Sequence, residues 1–286
     1  MEFEREMHEH YQKAFALAKK NLQDKKKHSL PVCPAVRNTF LDEMMISYSM
    51  DMGILDVPTD LIVGAAEESE ETALYTKDFH PVSAPNSAYA DLWRSLYQVV
   101  LVGGSFEEPI SCFEFLGKFY VRDGLKRGSV SRYYGTHSIK AHVIRILPIH
   151  TEEQKASWYY DFLLQYRLTN LYQLQFTQPG FFERLQQALG RNPAYRWSDR
   201  DRENFLRYWP SIERAFRKSY GDSLRISAAD ALVVLLRKYT FDQIVSMDSW
   251  VLARVFQTFW KELYVLSFPD TTPLEVNHSV DIIQTA

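Results

Sequence analysis

Cysteine is almost missing from this chain of 286 residues: Cys33 and Cys112 are the only two. That count supports neither a disulfide framework nor a zinc site built on thiolates. Long apolar runs are missing too. No stretch approaches the roughly 18 consecutive apolar residues that a bilayer-spanning helix needs. The opening Met1-Glu2-Phe3-Glu4-Arg5-Glu6 is charged where a secretory leader would be apolar. The chain therefore reads as cytosolic, with no membrane partner. Nor is there a large excess of one charge: the net is -3, so no global field draws the molecule onto nucleic acid. What is present is a hydrophobic content of 46% against 24% charged residues, the balance of a folded globular protein with a sizeable core. Aromatic residues reach 14% and recur mostly at helical spacing.

Phe3, Met7, Tyr11, Phe15 and Leu22 predict a first helix, and Lys25, Lys26 and Lys27 end it. Pro31 and Pro34 follow, and Phe40, Leu41, Met44 and Met45 suggest another helical piece. Val57 to Gly64 reads as a short strand entering a turn, and Glu67-Glu68-Ser69-Glu70-Glu71 as an acidic surface run. Asn86 or Ser87 can cap a helix over about 88–101. Cys112–Phe115 and Phe119–Val121 flank a hairpin turn, and Ile139–Leu147 gives a further strand, ended by Pro148. From there the periodicity is helical over 151–170, 179–190, 199–220, 227–239 and 249–266, with a capping-box start at Ser227 and Asp230. The expected fold class is α+β. A helical arm (1–50) leads to a mixed α/β domain (51–148), an all-helical domain (149–268) and a tail or linker (269–286).

Cations cluster within that order. Lys118, Arg122, Lys126, Arg127, Arg132, Lys140 and Arg145 stand against Asp123 alone in residues 118–145. Strand alternation would leave Lys140 and Arg145 facing water. Lys126 and Arg127 differ, because they follow the Asp123-Gly124 turn and open a short helix that closes at Gly135. The start of a helix offers unpaired N–H groups and a partial positive charge, a ready place for an anion.

The stretch from Tyr120 through Asp123-Gly124-Leu125-Lys126-Arg127 to Ile139 resembles the motif region of ParB/sulfiredoxin-like domains. There a strand leads to a Gly-x-(His/Lys/Arg)-Arg turn and a helix. Val57–Gly64 looks like the first strand of that fold. The whole order resembles a bacterial ParB-like group whose domain is followed by helices and, in many members, a nucleoside-binding lipoprotein-like module. The resemblance implies a nucleotide- or phosphate-binding fold that takes a nucleotide of the ATP or CTP class, serving as a switch or as a phosphotransfer or hydrolysis site. Carried over by position, Gly124, Lys126, Arg127, Gly128 and Ser129 would hold phosphate. Asp123 would be the catalytic group, and Glu67 and Glu68 would hold Mg²⁺ beside the phosphates. Leu125 stands where sulfiredoxin places its cysteine, which removes that chemistry. Gly128 stands where relatives pack a branched residue.

Other constellations say less. His137 and His142 lack a third ligand and read as polar strand-edge residues. The basic and aromatic stretch 184–218 could suit DNA, but Phe205, Trp209, Ile212 and Phe216 recur at three- and four-residue steps and read as core. A DNA-binding protein using the helical domain is the second expectation. The third is an interaction module without catalysis, packing on a partner or on itself as a homodimer.

Overall fold

The computed structural model describes residues 2–23, 46–149, 154–220 and 223–269. The chain divides into two compact units, Met1–Tyr160 and Asp161–Ala286. The first is a five-stranded mixed sheet with helices and the second is helical. The helical piece expected near 40–45 and the tail from 270 onward lie outside the described residues. Among those residues, no helix is long and apolar enough to cross a membrane.

In the first unit, helix α1 (Glu2–Gln23) buries Met7, Tyr11, Ala14 and Ala18, a three- and four-residue stripe on one face. Strand β1 (Ile46–Pro58) begins eleven residues before the expected Val57 and runs through Pro58. A bulge hid it. Gly53, at φ +70, shifts the register between Asp51 and Ile54, and its N–H donates to Asp51 Oδ1 at 2.8 Å. The extra residue breaks the period-two pattern by which a strand is recognised. A 3-10 turn (Thr59–Leu61) then separates β1 from β2 (Ile62–Ala65), so the expected single strand is two.

Helix α2 (Ala88–Leu101) starts where Ser87 Oγ accepts the Ala90 N–H at 3.2 Å. Strands β3 (Ile110–Phe115) and β4 (Lys118–Asp123) form the expected hairpin. Its turn residues Leu116 and Gly117 have φ of 50° and 72°, the left-handed pair that suits the twist of a two-residue hairpin. Helix α3 (Leu125–Tyr134) follows, then β5 (Ser138–Pro148). The sheet order is β1-β5-β3-β4-β2, with β5/β3 and β4/β2 parallel and the other pairs antiparallel. α1, α2 and α3 share a core of Met7, Tyr11, Trp93, Tyr97 and Val130. In it Trp93 stacks on Tyr97 with ring centroids 5.3 Å apart.

Helix α4 (Gln154–Thr169) contains the boundary between the units. The second unit continues with α5 (Phe181–Ala188), α6 (Asp199–Tyr220), α7 (Ala228–Leu235), α8 (Phe241–Val245), α9 (Ser249–Thr258) and α10 (Trp260–Ser267). α7 is buried on every side from Ala229 to Leu235, so it has no polar stripe. Its Ser227/Asp230 capping box forms as the sequence indicates. The helix expected over 227–239 stops at Leu235, and α8 begins with a second box, Thr240/Gln243. The helix expected over 249–266 is divided at Phe259, whose φ of -94° and ψ of 11° leave the helical region.

Candidate functional site

β4 and β2 run parallel, so their C-terminal ends emerge side by side. Beyond β2 lies the acidic run from Glu67 to Glu71, and beyond β4 lies the turn into α3. Gly124 is the N-cap of α3 at φ 93° and ψ 29°, and it offers no side chain to cap the helix. A Cβ there would meet Ile110 Cγ2 at 2.7 Å and Arg127 Nε and Nη2 at 3.0 Å, so glycine is required for both conformation and space. In this turn the Gly128 N–H donates to the Gly124 carbonyl at 3.0 Å. The amides before it have the open character of a helix start.

Both cations of the first turn are engaged. Arg127 is folded back, its Nη2 on Asp123 Oδ2 at 2.9 Å and its Nη1 on the Glu108 carbonyl oxygen at 2.8 Å. Its side chain is 14% exposed, whereas Asp123 and Glu108 are 76% and 86% exposed. Lys126 Nζ donates to Glu71 Oε1 at 2.8 Å and lies 5.1 Å from the centroid of the Tyr89 ring. The structure thus brings the acidic run to the turn, with Glu71 as the contact. Glu67 and Glu68 lie on the same loop, exposed. Among the described residues, no group of three or more His, Cys, Asp or Glu is placed to hold a metal.

The remaining expected phosphate contacts have structural duties. Ser129 is buried, accepts the Trp93 indole N–H at 2.9 Å and donates to the Phe79 carbonyl at 2.6 Å. Its hydroxyl is thereby occupied in joining α2, α3 and the loop before α2. Gly128 is buried against β4, yet a Cβ there would meet nothing nearer than Val121 Cγ2 at 4.0 Å. Leu125 is buried at 4% exposure, as an apolar residue in that position should be.

Arg145 corrects one expectation. It does not face water but is 7% exposed, with Nε 2.5 Å from Oε2 of the fully buried Glu114. Glu114 also accepts the Tyr159 hydroxyl at 2.8 Å and the Gly117 N–H at 2.8 Å. Burial pushes the Glu114 carboxyl up, against the opposing pull of Arg145, Tyr159 and the Gly117 amide. The signal was available: Lys140 and Arg145 are five residues apart, so a strand sends them to opposite faces. Lys140 is the exposed one, paired with Asp56 at 3.3 Å. His142 pairs with Asp51 at 2.9 Å and is not brought to a metal site with His137. No protein-family model matches this chain, and no curated protein matches it.

Proposed function

We propose that the mixed α/β unit is a ParB/sulfiredoxin-like domain that binds a nucleotide of the ATP or CTP class, or another phosphorylated ligand, at the turn 123–129. The supporting observation is the uncapped Gly124 turn with Lys126 and Arg127 in the first helical turn, Lys126 held by the half-buried Glu71 and Arg127 by the exposed Asp123. Exposed ion pairs are worth about 0–1 kcal/mol each. A phosphate offers charge-assisted, bidentate bonds to a guanidinium and also fills the open amides. Binding then works by exchange of partners. The ligand takes Arg127 from Asp123 and Glu108, and Lys126 from Glu71, releasing the loops that carry these carboxylates. Such release makes the turn a nucleotide-dependent switch. Mg²⁺ binds through one or two carboxylates together with phosphates, so Glu67 and Glu68 are its candidates only once a phosphorylated ligand is seated. Asp123, freed by the exchange, is the candidate acid–base group.

A second reading, an interaction module for a partner or a second copy, is favoured by the same ion pairs if they are permanent. Calorimetric titration of ATP, CTP and inorganic phosphate, with and without Mg²⁺, separates the two. The wild type should bind a nucleotide, Arg127→Ala should lose at least tenfold in affinity, and Glu71→Gln should bind more tightly. Negligible heats in all three proteins would leave only the module.

A further inference from the structure

The two edges of the sheet are built differently. β2, at one edge, has four residues and is largely buried. β1, at the other, is 13 residues long and pairs only with β5. An edge strand turns alternate N–H and C=O groups away from its one neighbour. Among the described residues, nothing outside the β5 ladder takes up the backbone groups of Tyr48, Ser49 and Met50. Exposed edges are normally guarded by shortness, by Lys or by Pro. Ile46-Ser47-Tyr48-Ser49-Met50 has neither a charge nor a proline. Instead Tyr48 is 60% exposed and Met50 44%, and two residues apart they share one face. Ile54, also 60% exposed, stands on the other face, since its partner His142 lies three residues from Arg145, the partner of Met50. The only charges on β1 are Asp51 and Asp56, both 65% exposed. Register shifts between Ile46 and Tyr48 and at the Gly53 bulge bound a regular window, Tyr48–Asp51.

We propose that the β1 edge takes up an extended segment of a partner protein as a sixth strand of the sheet, a segment in which apolar residues alternate with Lys or Arg. The outward backbone groups set the form of the occupant, because only another strand can pair with them in series. Its side chains follow from the period of two. Alternate residues on one face lie beside Tyr48 and Met50, where apolar groups gain most from contact. Residues on the opposite face lie beside Ser49 and Asp51, and a cation there finds a carboxylate across the strands. A second copy of β1 fits the same edge poorly. It would bring more carboxylates and no cation to the seam, and its own bulge would limit the pairing to about the window itself. So short a contact falls well below the roughly 800 Å² per partner of a stable dimer. A single peptide strand needs less, since main-chain bonds hold it and alternate side chains select it.

The test selects a random peptide library displayed on phage against the full chain, then measures the enriched peptides, synthesised with a fluorescent label, by anisotropy. Enriched sequences should alternate apolar residues with Lys or Arg. Joint replacement Tyr48→Lys and Met50→Lys should weaken their binding by about tenfold or more. Circular dichroism and melting temperature should stay put, since both side chains are largely in solvent. Asp51→Asn should cost about two- to fivefold. Methylating alternate peptide amides gives the sharpest reading. One alternate set should abolish binding and the other should leave it intact, because a strand turns only every second N–H toward its neighbour. The proposal is overturned if no peptide is enriched, if the double Lys variant binds as the wild type does, or if the two methylated sets behave alike. Sedimentation showing a dimer that the double Lys variant dissolves would also overturn it, by placing a second copy on the edge.

Discussion

The cations of α3 and those of α6 both lie in basic stretches of the sequence, and the structure treats them oppositely. In α3 the guanidinium of Arg127 and the ammonium of Lys126 each have a carboxylate within 2.9 Å. In α6 the exposed Arg200, Arg207, Arg214 and Lys218 have none among the described residues. A paired cation holds the chain to itself until something exchanges for its partner, whereas an unpaired one is immediately open to a polyanion. Local charge excess therefore does not by itself identify a binding surface; the location of the nearest carboxylates does.

The comparison breaks most severely where pairing is buried. Glu114→Ala removes the buried carboxylate that pairs with Arg145 and accepts from Tyr159 and Gly117 in the sheet interior, and the expected cost is about 3–5 kcal/mol, read as a lower urea midpoint for the first unit. Removal of an exposed partner such as Glu108 should shift that midpoint by less than about 1 kcal/mol. A midpoint equal for the two variants would refute the distinction.

Next in size is Gly124→Ala. A left-handed residue costs about 1–2 kcal/mol, and the contact with Ile110 adds to it. Gly128→Ala, with open room and a helical conformation, should instead be neutral or stabilising by up to about 1 kcal/mol. The two substitutions, four residues apart on the same helix start, should thus differ in sign.

The smallest effect sharpens the comparison in the second unit. Burial raises the pKa of Asp201, but the Ser198 hydroxyl and N–H, the Tyr195 hydroxyl and Arg191 outweigh it and hold the carboxyl below its ordinary value. A depressed folded pKa gives stability that is present above the unfolded value of about 3.9 and is lost as pH falls through the folded value. Urea midpoints measured between about pH 5 and 2 should decline less steeply in Asp201→Asn than in the wild type.

Elements with an unbroken local pattern were legible in the sequence. The hairpin at Leu116-Gly117, the Ser87 and Ser227 caps and the span of α6 all depend on neighbours within a few residues. Thr240-x-x-Gln243 follows the same local rule. What escaped depends on distant residues. The start of β1 was masked by the Gly53 bulge, and Arg145 is buried because Glu114 waits for it on a neighbouring strand. For the candidate site, Gly124 and the order of Lys126 and Arg127 could be read directly. Their partners Glu71 and Glu108 could not, because only the parallel pairing and loop paths bring those residues near.

Asp230 shows how one carboxylate can join two scales of organisation. Its side chain completes the box with Ser227 and also accepts the Thr177 and Gln178 amides and the Thr177 hydroxyl, from residues 52 and 53 positions away. Helix nucleation at α7 and closure of that long chain loop are therefore satisfied by the same pair of oxygens. Neither is complete alone, which makes the second unit's central helix a cooperative element rather than an autonomous one.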